Sequence, residues 1–113
     1  MLDHERLDVY RCALELVALG LDVAQHVPRG FTPLADQLRR ASASIPLNIA
    51  EGAGKFSLAD RGNFYRIASG SALECGAALD VIGLARATQQ SKVQAGKILV
   101  ERIVSMLTKL ASR

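Results

Sequence analysis

The sequence predicts an all-α protein: an antiparallel up-down-up-down four-helix bundle forming one domain over residues 1–113. Three observations carry this. Hydrophobic residues recur at helical spacing in four segments, and no stretch alternates as a half-buried strand does. Half of the 113 residues are hydrophobic, yet only two Tyr, three Phe and no Trp are present. Aliphatic side chains and alanine must therefore fill the core, a palette suited to helices in close contact. The segments are also joined by short connections, which set consecutive helices antiparallel. A chain of this length suffices for one core and leaves no room for a second independent unit.

The first segment runs over residues 5–26 and is stopped by Pro28-Arg29-Gly30. The second opens at Thr32-Pro33, a threonine N-cap followed by proline at the first helical position, where its missing N–H costs nothing. It is expected to end at Gly52-Ala53-Gly54, where a glycine can take the left-handed cap. The third starts after Ser57, with Asp60 three residues on as a weak capping box, and extends to residue 87. Its length makes it the spine of the bundle. The polar stretch Thr88-Gln89-Gln90-Ser91 then leads into a fourth helix over residues 92–111.

At about 100° per residue, Leu34, Leu38, Ala41, Ile45, Ile49 and Gly52 share one stripe of the second helix. Phe64, Ala68, Ser71, Cys75, Ala78 and Ile82 do so on the third, and Gly96, Leu99, Val100, Ile103, Leu107 and Leu110 on the fourth. These three read as ordinary amphipathic helices. The first helix differs: Leu7, Tyr10, Leu14, Val17 and Leu21 form one stripe, and Val9, Cys12, Ala13, Leu16 and Val23 widen the apolar arc to roughly 200°. Its polar remainder is a narrow band of Asp8, Arg11, Glu15 and Asp22. Such an arc needs cover on two sides, and a subunit interface explains it better than deep burial in a single four-helix bundle. Pro46 lies inside the second helix, so a kink is expected, with Ser42, Ser44 or Asn48 positioned to re-satisfy the local backbone.

Composition and motifs narrow the functional classes. Glu15 and Asp22 divide the most hydrophobic region, so no uninterrupted apolar run of the ~20 residues a bilayer requires is expected. The acidic, polar start, Met1-Leu2-Asp3-His4-Glu5, is unlike a secretory signal, and a cytoplasmic location without membrane attachment is the default expectation. Cys12 and Cys75 stand far apart without CxxC spacing, so they read as buried thiols, not as a disulfide or a zinc site. Neither His4 nor His26 follows a glutamate by three residues, which argues against a di-metal bundle site. No G-x-S-x-G is present, and Gly52-Ala53-Gly54-Lys55 lacks the spacer of a phosphate loop and follows a helix. No metal, cofactor or catalytic residue is therefore expected, and the chain is read as a non-enzyme.

A polar stripe runs beside the apolar stripe of the second helix. Gln37, Ser44, Asn48 and Glu51 fall within about 60° of one another, with Arg40 at the edge. Groups so near the core boundary need partners, since an unsatisfied buried polar group costs about 1–3 kcal/mol. Glu74 on the third helix and Arg40 are partners of the right type. A network that sets helix register is preferred here to a pair of carboxylates doing acid–base work.

The same residues carry a resemblance. Gln37-Leu38-Arg39-Arg40-Ala41, Ser44-Ile45-Pro46, Asn48-Ile49-Ala50-Glu51-Gly52 and Gly70-Ser71-Ala72-Leu73-Glu74 closely resemble the signature of a four-helix-bundle family. That family was first named for proteins encoded in intervening sequences of bacterial 23S ribosomal RNA genes. Leu7-Asp8-Val9-Tyr10 and residues 64–68 extend the match over nearly the whole chain. The resemblance implies assembly into a homopentameric ring. One branch of the family comprises the accessory variability proteins of diversity-generating retroelements, basic pentameric barrels that bind a reverse transcriptase and its template RNA.

Charge adds an independent argument. Residues 1–26 carry five acids and two bases, whereas the remainder carries twelve bases and six acids. A polyanion would therefore meet the later helices. The first functional expectation is a non-enzymatic binder of structured RNA, using Arg39, Arg40, Lys55, Arg61 and Arg66, with Arg86, Lys92, Lys97, Arg102 and Lys109 as further cations. With only five aromatic residues in the chain, base stacking is given little weight. The alternative is a protein–protein adaptor or scaffold without a nucleic-acid role. It draws on the wide arc of the first helix and the small residues Ala68, Gly70, Ser71, Ala72, Gly76 and Ala77 of the third.

Overall fold

The structure, a computed structural model, describes residues 1–112. Four helices make the bundle: α1 (Asp8–His26), α2 (Thr32–Ala53), α3 (Leu58–Leu84) and α4 (Gln90–Ala111). Single 3-10 turns at Asp3–Arg6 and Arg29–Phe31 precede α1 and α2. Each helix packs on two others in the cyclic order α1, α2, α3, α4 and back to α1. Residue numbers rise along one helix as they fall along its neighbour. Gln37 meets Glu74 and Ser44 meets Ser71 across α2 and α3, while Asp80 meets Lys97 across α3 and α4. Asp22 meets Lys92 where α1 ends and α4 begins. The bundle is thus antiparallel throughout, with the fully buried Leu16, Leu38, Ile45, Ile49, Leu79, Ile82, Ile103 and Leu107 along its axis.

Several boundaries differ from the sequence expectation, each for a local reason. The first helix is broken at Leu7, which is extended (φ −81°, ψ 128°) and packs against the core while its carbonyl accepts from Tyr10 and Arg11. Thr32 is not the cap of α2. It lies inside the helix, and its hydroxyl donates back to the Arg29 carbonyl at 2.7 Å. Gly54 closes α2 in right-handed geometry (φ −85°, ψ −6°), so no left-handed glycine is used there. Ser57 caps α3 as expected, its Oγ accepting from the Asp60 N–H at 3.1 Å. Through Pro46, α2 continues as one helix, with the Asn48 amide donating to the Ser44 carbonyl at 2.8 Å.

The end of α3 falls at Leu84 instead of residue 87, because the chain turns there through a left-handed residue, Arg86 (φ 55°). The Ala87 N–H reaches the Ile82 carbonyl and the Arg86 N–H the Gly83 carbonyl, both at 3.0 Å. This is the double hydrogen bond of a Schellman stop, usually built on glycine. The Gln90 side chain adds a further bond to the Gly83 carbonyl at 3.0 Å, tying the start of α4 to the end of α3. A side chain in this conformation costs about 1 kcal/mol or more relative to glycine. Arg86→Gly is therefore expected to raise unfolding stability by about 1 kcal/mol, measured by urea denaturation; a loss of stability would contradict the left-handed stop.

Two helices present apolar surface in ways periodicity did not distinguish. On α1 the buried side is Val9, Cys12, Ala13, Leu16, Gly20 and Val23, whereas Leu14 and Leu21 remain 45% and 48% exposed. On α3 the expectation of an ordinary amphipathic helix fails. Its outer side carries Ile67, Leu73, Val81 and Leu84 at 52%, 58%, 47% and 86% exposure. By length and composition α3 is also apolar enough to cross a membrane, with 44% of its most apolar window buried in the bundle. Glu74 and Asp80 interrupt this window, so it is not the uninterrupted apolar run that the sequence is expected to lack.

Candidate functional site

The polar stripe of α2 faces α3 and forms a short ladder. The Gln37 side-chain amide donates to Glu74 Oε1 at 3.0 Å, and the hydroxyls of Ser44 and Ser71 lie 2.9 Å apart. Asn48 Nδ2 donates both to the Ser44 carbonyl at 2.8 Å and to Ser44 Oγ at 3.0 Å. Glu51 stands outside this ladder: it is exposed and faces Lys55 at 3.6 Å. Arg40 is exposed on the outer side of α2 and is not the partner of Glu74. Ser71, read from the sequence as part of the apolar stripe of α3, is the rung that completes the ladder. Only its neighbour across the interface identifies it.

This arrangement supplies register but little chemistry. Neither serine hydroxyl of the central pair is hydrogen-bonded to a histidine; the hydroxyls bond each other and Asn48. Among the described residues no three His, Cys, Asp or Glu side chains gather as a metal site would require. Burial, reinforced by nearby Glu74, pushes the Cys75 thiol up to about 12. The reactive thiolate is thereby suppressed at neutral pH.

The five cations expected to bind nucleic acid separate into two groups. Arg39 and Arg40 lie on α2 about 15 residues, or some 22 Å of helix, before Lys55. Arg39 pairs with Asp36 of its own helix at 2.9 Å and reaches across to the Ala24 carbonyl of α1 at 3.4 Å. Arg40 has no hydrogen-bond or ion-pair partner among the described residues. Lys55 and Arg61 come together at the turn between α2 and α3: Arg61 Nε donates to the Lys55 carbonyl at 2.7 Å, and the Lys55 ammonium sits 5.2 Å from the centre of the Phe64 ring. Arg66 lies one turn further along α3, bonded to Asn63 at 2.8 Å.

Of the cations noted in the later helices, two are tied down. Lys97 holds Asp80 at 2.8 Å, and Lys92 holds Asp22 at 2.7 Å. The hydrogen bond from Lys92 keeps the Asp22 carboxyl below its ordinary range. Arg86, Arg102 and Lys109 are exposed without such partners among the described residues.

Gly52 shows how closely α2 and α3 approach beside the ladder. A Cβ at that position would come within 2.8 Å of the Tyr65 ring and 3.1 Å of Phe64 Cβ. The ladder, this contact and the Lys55–Arg61 turn all lie along one helix pair, and residues 5–109 match the family of 23S rRNA-intervening sequence proteins. The chain belongs to that family. The four-helix architecture is in keeping with the resemblance carried by the residues of α2 and α3. No curated protein matches the chain significantly.

Proposed function

We propose that this member of the 23S rRNA-intervening sequence protein family is a non-enzymatic, homo-oligomeric binding protein of the cytoplasm. In this reading it forms a pentameric ring that contacts structured RNA through its basic surface. The observation that carries the reading is the cation distribution: Arg40, Arg86, Arg102 and Lys109 have no ion-pair partner among the described residues, on a family scaffold whose name ties it to ribosomal RNA. Phosphate contacts require only positive charge within reach, and a ring repeats a modest patch through avidity.

A fluorescent RNA hairpin titrated at several salt concentrations tests this by anisotropy. Binding is expected to weaken steeply with salt. The paired change Arg39→Glu and Arg40→Glu should weaken it about tenfold or more, because reversal replaces attraction by repulsion at two positions in each copy. Arg40→Glu alone should account for most of that loss, since Arg39 is already engaged by Asp36. Unchanged affinity in the double variant would overturn the assignment.

The second reading is an adaptor that docks a partner protein, for which a reverse transcriptase is the candidate the family resemblance suggests. It is favoured by the exposed apolar side of α3, a surface that RNA phosphates have no reason to seek.

A further inference from the structure

The outer side of α3 is an exposed apolar surface that RNA binding leaves unused. Ile67, Leu73, Val81 and Leu84 project from it, and a Cβ at Gly70 would meet nothing within 4 Å. The two charges along this stretch are drawn aside, Glu74 by Gln37 on α2 and Asp80 by Lys97 on α4. Between them an apolar ridge about 27 Å long is left over residues 67–84.

A second apolar surface lies between α1 and α2, a groove lined by Tyr10, Leu14, Val17, Ala43, Leu47 and Ala50. Helices α1 and α3 sit diagonally across the bundle, so ridge and groove face different directions. A two-fold contact of ridge with ridge would leave the groove bare. Ridge in groove covers both. The charges at their edges agree as well. Arg40, one helical turn before Ala43 and Ser44, has no acidic partner among the described residues, and the bond Glu74 receives comes from the neutral Gln37 amide.

We infer that the α3 ridge of one copy docks into the α1–α2 groove of a second copy, head to tail. Such a contact uses two different surfaces and propagates from copy to copy until a ring closes. This inference rests on the self-assembly in the proposed function and assigns the two faces that make it.

Two variants test it by sedimentation. Leu73→Lys with Val81→Lys blocks the ridge, and Leu14→Lys with Leu47→Lys blocks the groove. The same sign on both prevents the altered faces from attracting each other. Each variant alone should sediment as a folded monomer of 12.1 kDa. Mixed in equal amounts, they should form a dimer and nothing larger, because one intact ridge meets one intact groove. Circular dichroism checks that each variant is helical. Should either lose helix, the milder Ala77→Lys and Ala43→Lys, both at exposed positions, take its place.

A mixture that remains monomeric, or a variant that assembles as the unaltered chain does, overturns the ridge-in-groove contact while leaving oligomerisation itself intact. An unaltered chain that is monomeric at high micromolar concentration overturns both this contact and the self-assembly on which it rests. RNA binding is measured separately on the same samples.

Discussion

Leu16→Ala is expected to lower unfolding stability by about 3 kcal/mol, whereas Leu14→Ala, two residues away on the same helix, should cost less than about 1 kcal/mol. Both delete the same atoms from α1. Leu16 is 0% exposed within the shared core, and truncating it leaves a cavity that close-packed neighbours fill only in part. Leu14 lies in the open groove beside α2, where water already reaches it and nothing collapses when it is removed. Urea denaturation followed by helix signal checks the pair in the ridge-blocked background, Leu73→Lys with Val81→Lys, which is expected to be monomeric and leaves the groove open. Equal losses would mean that α1 buries a different side from the one described.

Gly52→Ala is expected to cost about 2 kcal/mol, against the usual direction for a helical glycine. Alanine in a helix interior is favoured over glycine by about 0.5–1 kcal/mol. Here the added methyl would stand 2.8 and 3.0 Å from two ring carbons of Tyr65 and 3.1 Å from Phe64 Cβ. The ring is rigid and buried, so relief requires α2 and α3 to separate, and overpacking of this kind costs about 1–3 kcal/mol. The displacement would also stretch the Ser44–Ser71 and Gln37–Glu74 rungs on the same interface. Thermal unfolding of the variant measures the net effect; a gain in stability would show that the helices are less close than described.

Leu14 and Leu16 mark how far the sequence can be read. They belong to two overlapping apolar stripes of one helix, and spacing alone gives both an equal claim to the core. The decision comes from where α2 and α4 pack. The outward apolar side of α3 escapes periodicity for a related reason. Its inner stripe from Phe64 to Ile82 satisfies the helical period whether or not Ile67, Leu73, Val81 and Leu84 lie opposite, so the pattern does not report what the other side carries. In the polar ladder, Gln37, Ser44, Asn48 and Glu74 are recognisable as groups in need of partners. The pairing itself depends on Ser71 facing Ser44, while Glu51, one turn past Asn48, swings out to Lys55.

By itself the sequence determined the fold class, the four helices and their order, and the family to which the chain belongs. These follow from local quantities: hydrophobic period, punctuating proline and glycine, and fixed residue spacings. Tertiary structure alone decided which side of α1 is core, that a left-handed arginine instead of a glycine stops a helix, and which cations have no ion-pair partner among the described residues. It also showed that two unlike apolar surfaces face different ways. Each of these depends on which neighbour a side chain meets across the bundle, a relation between residues far apart in sequence that no local pattern encodes.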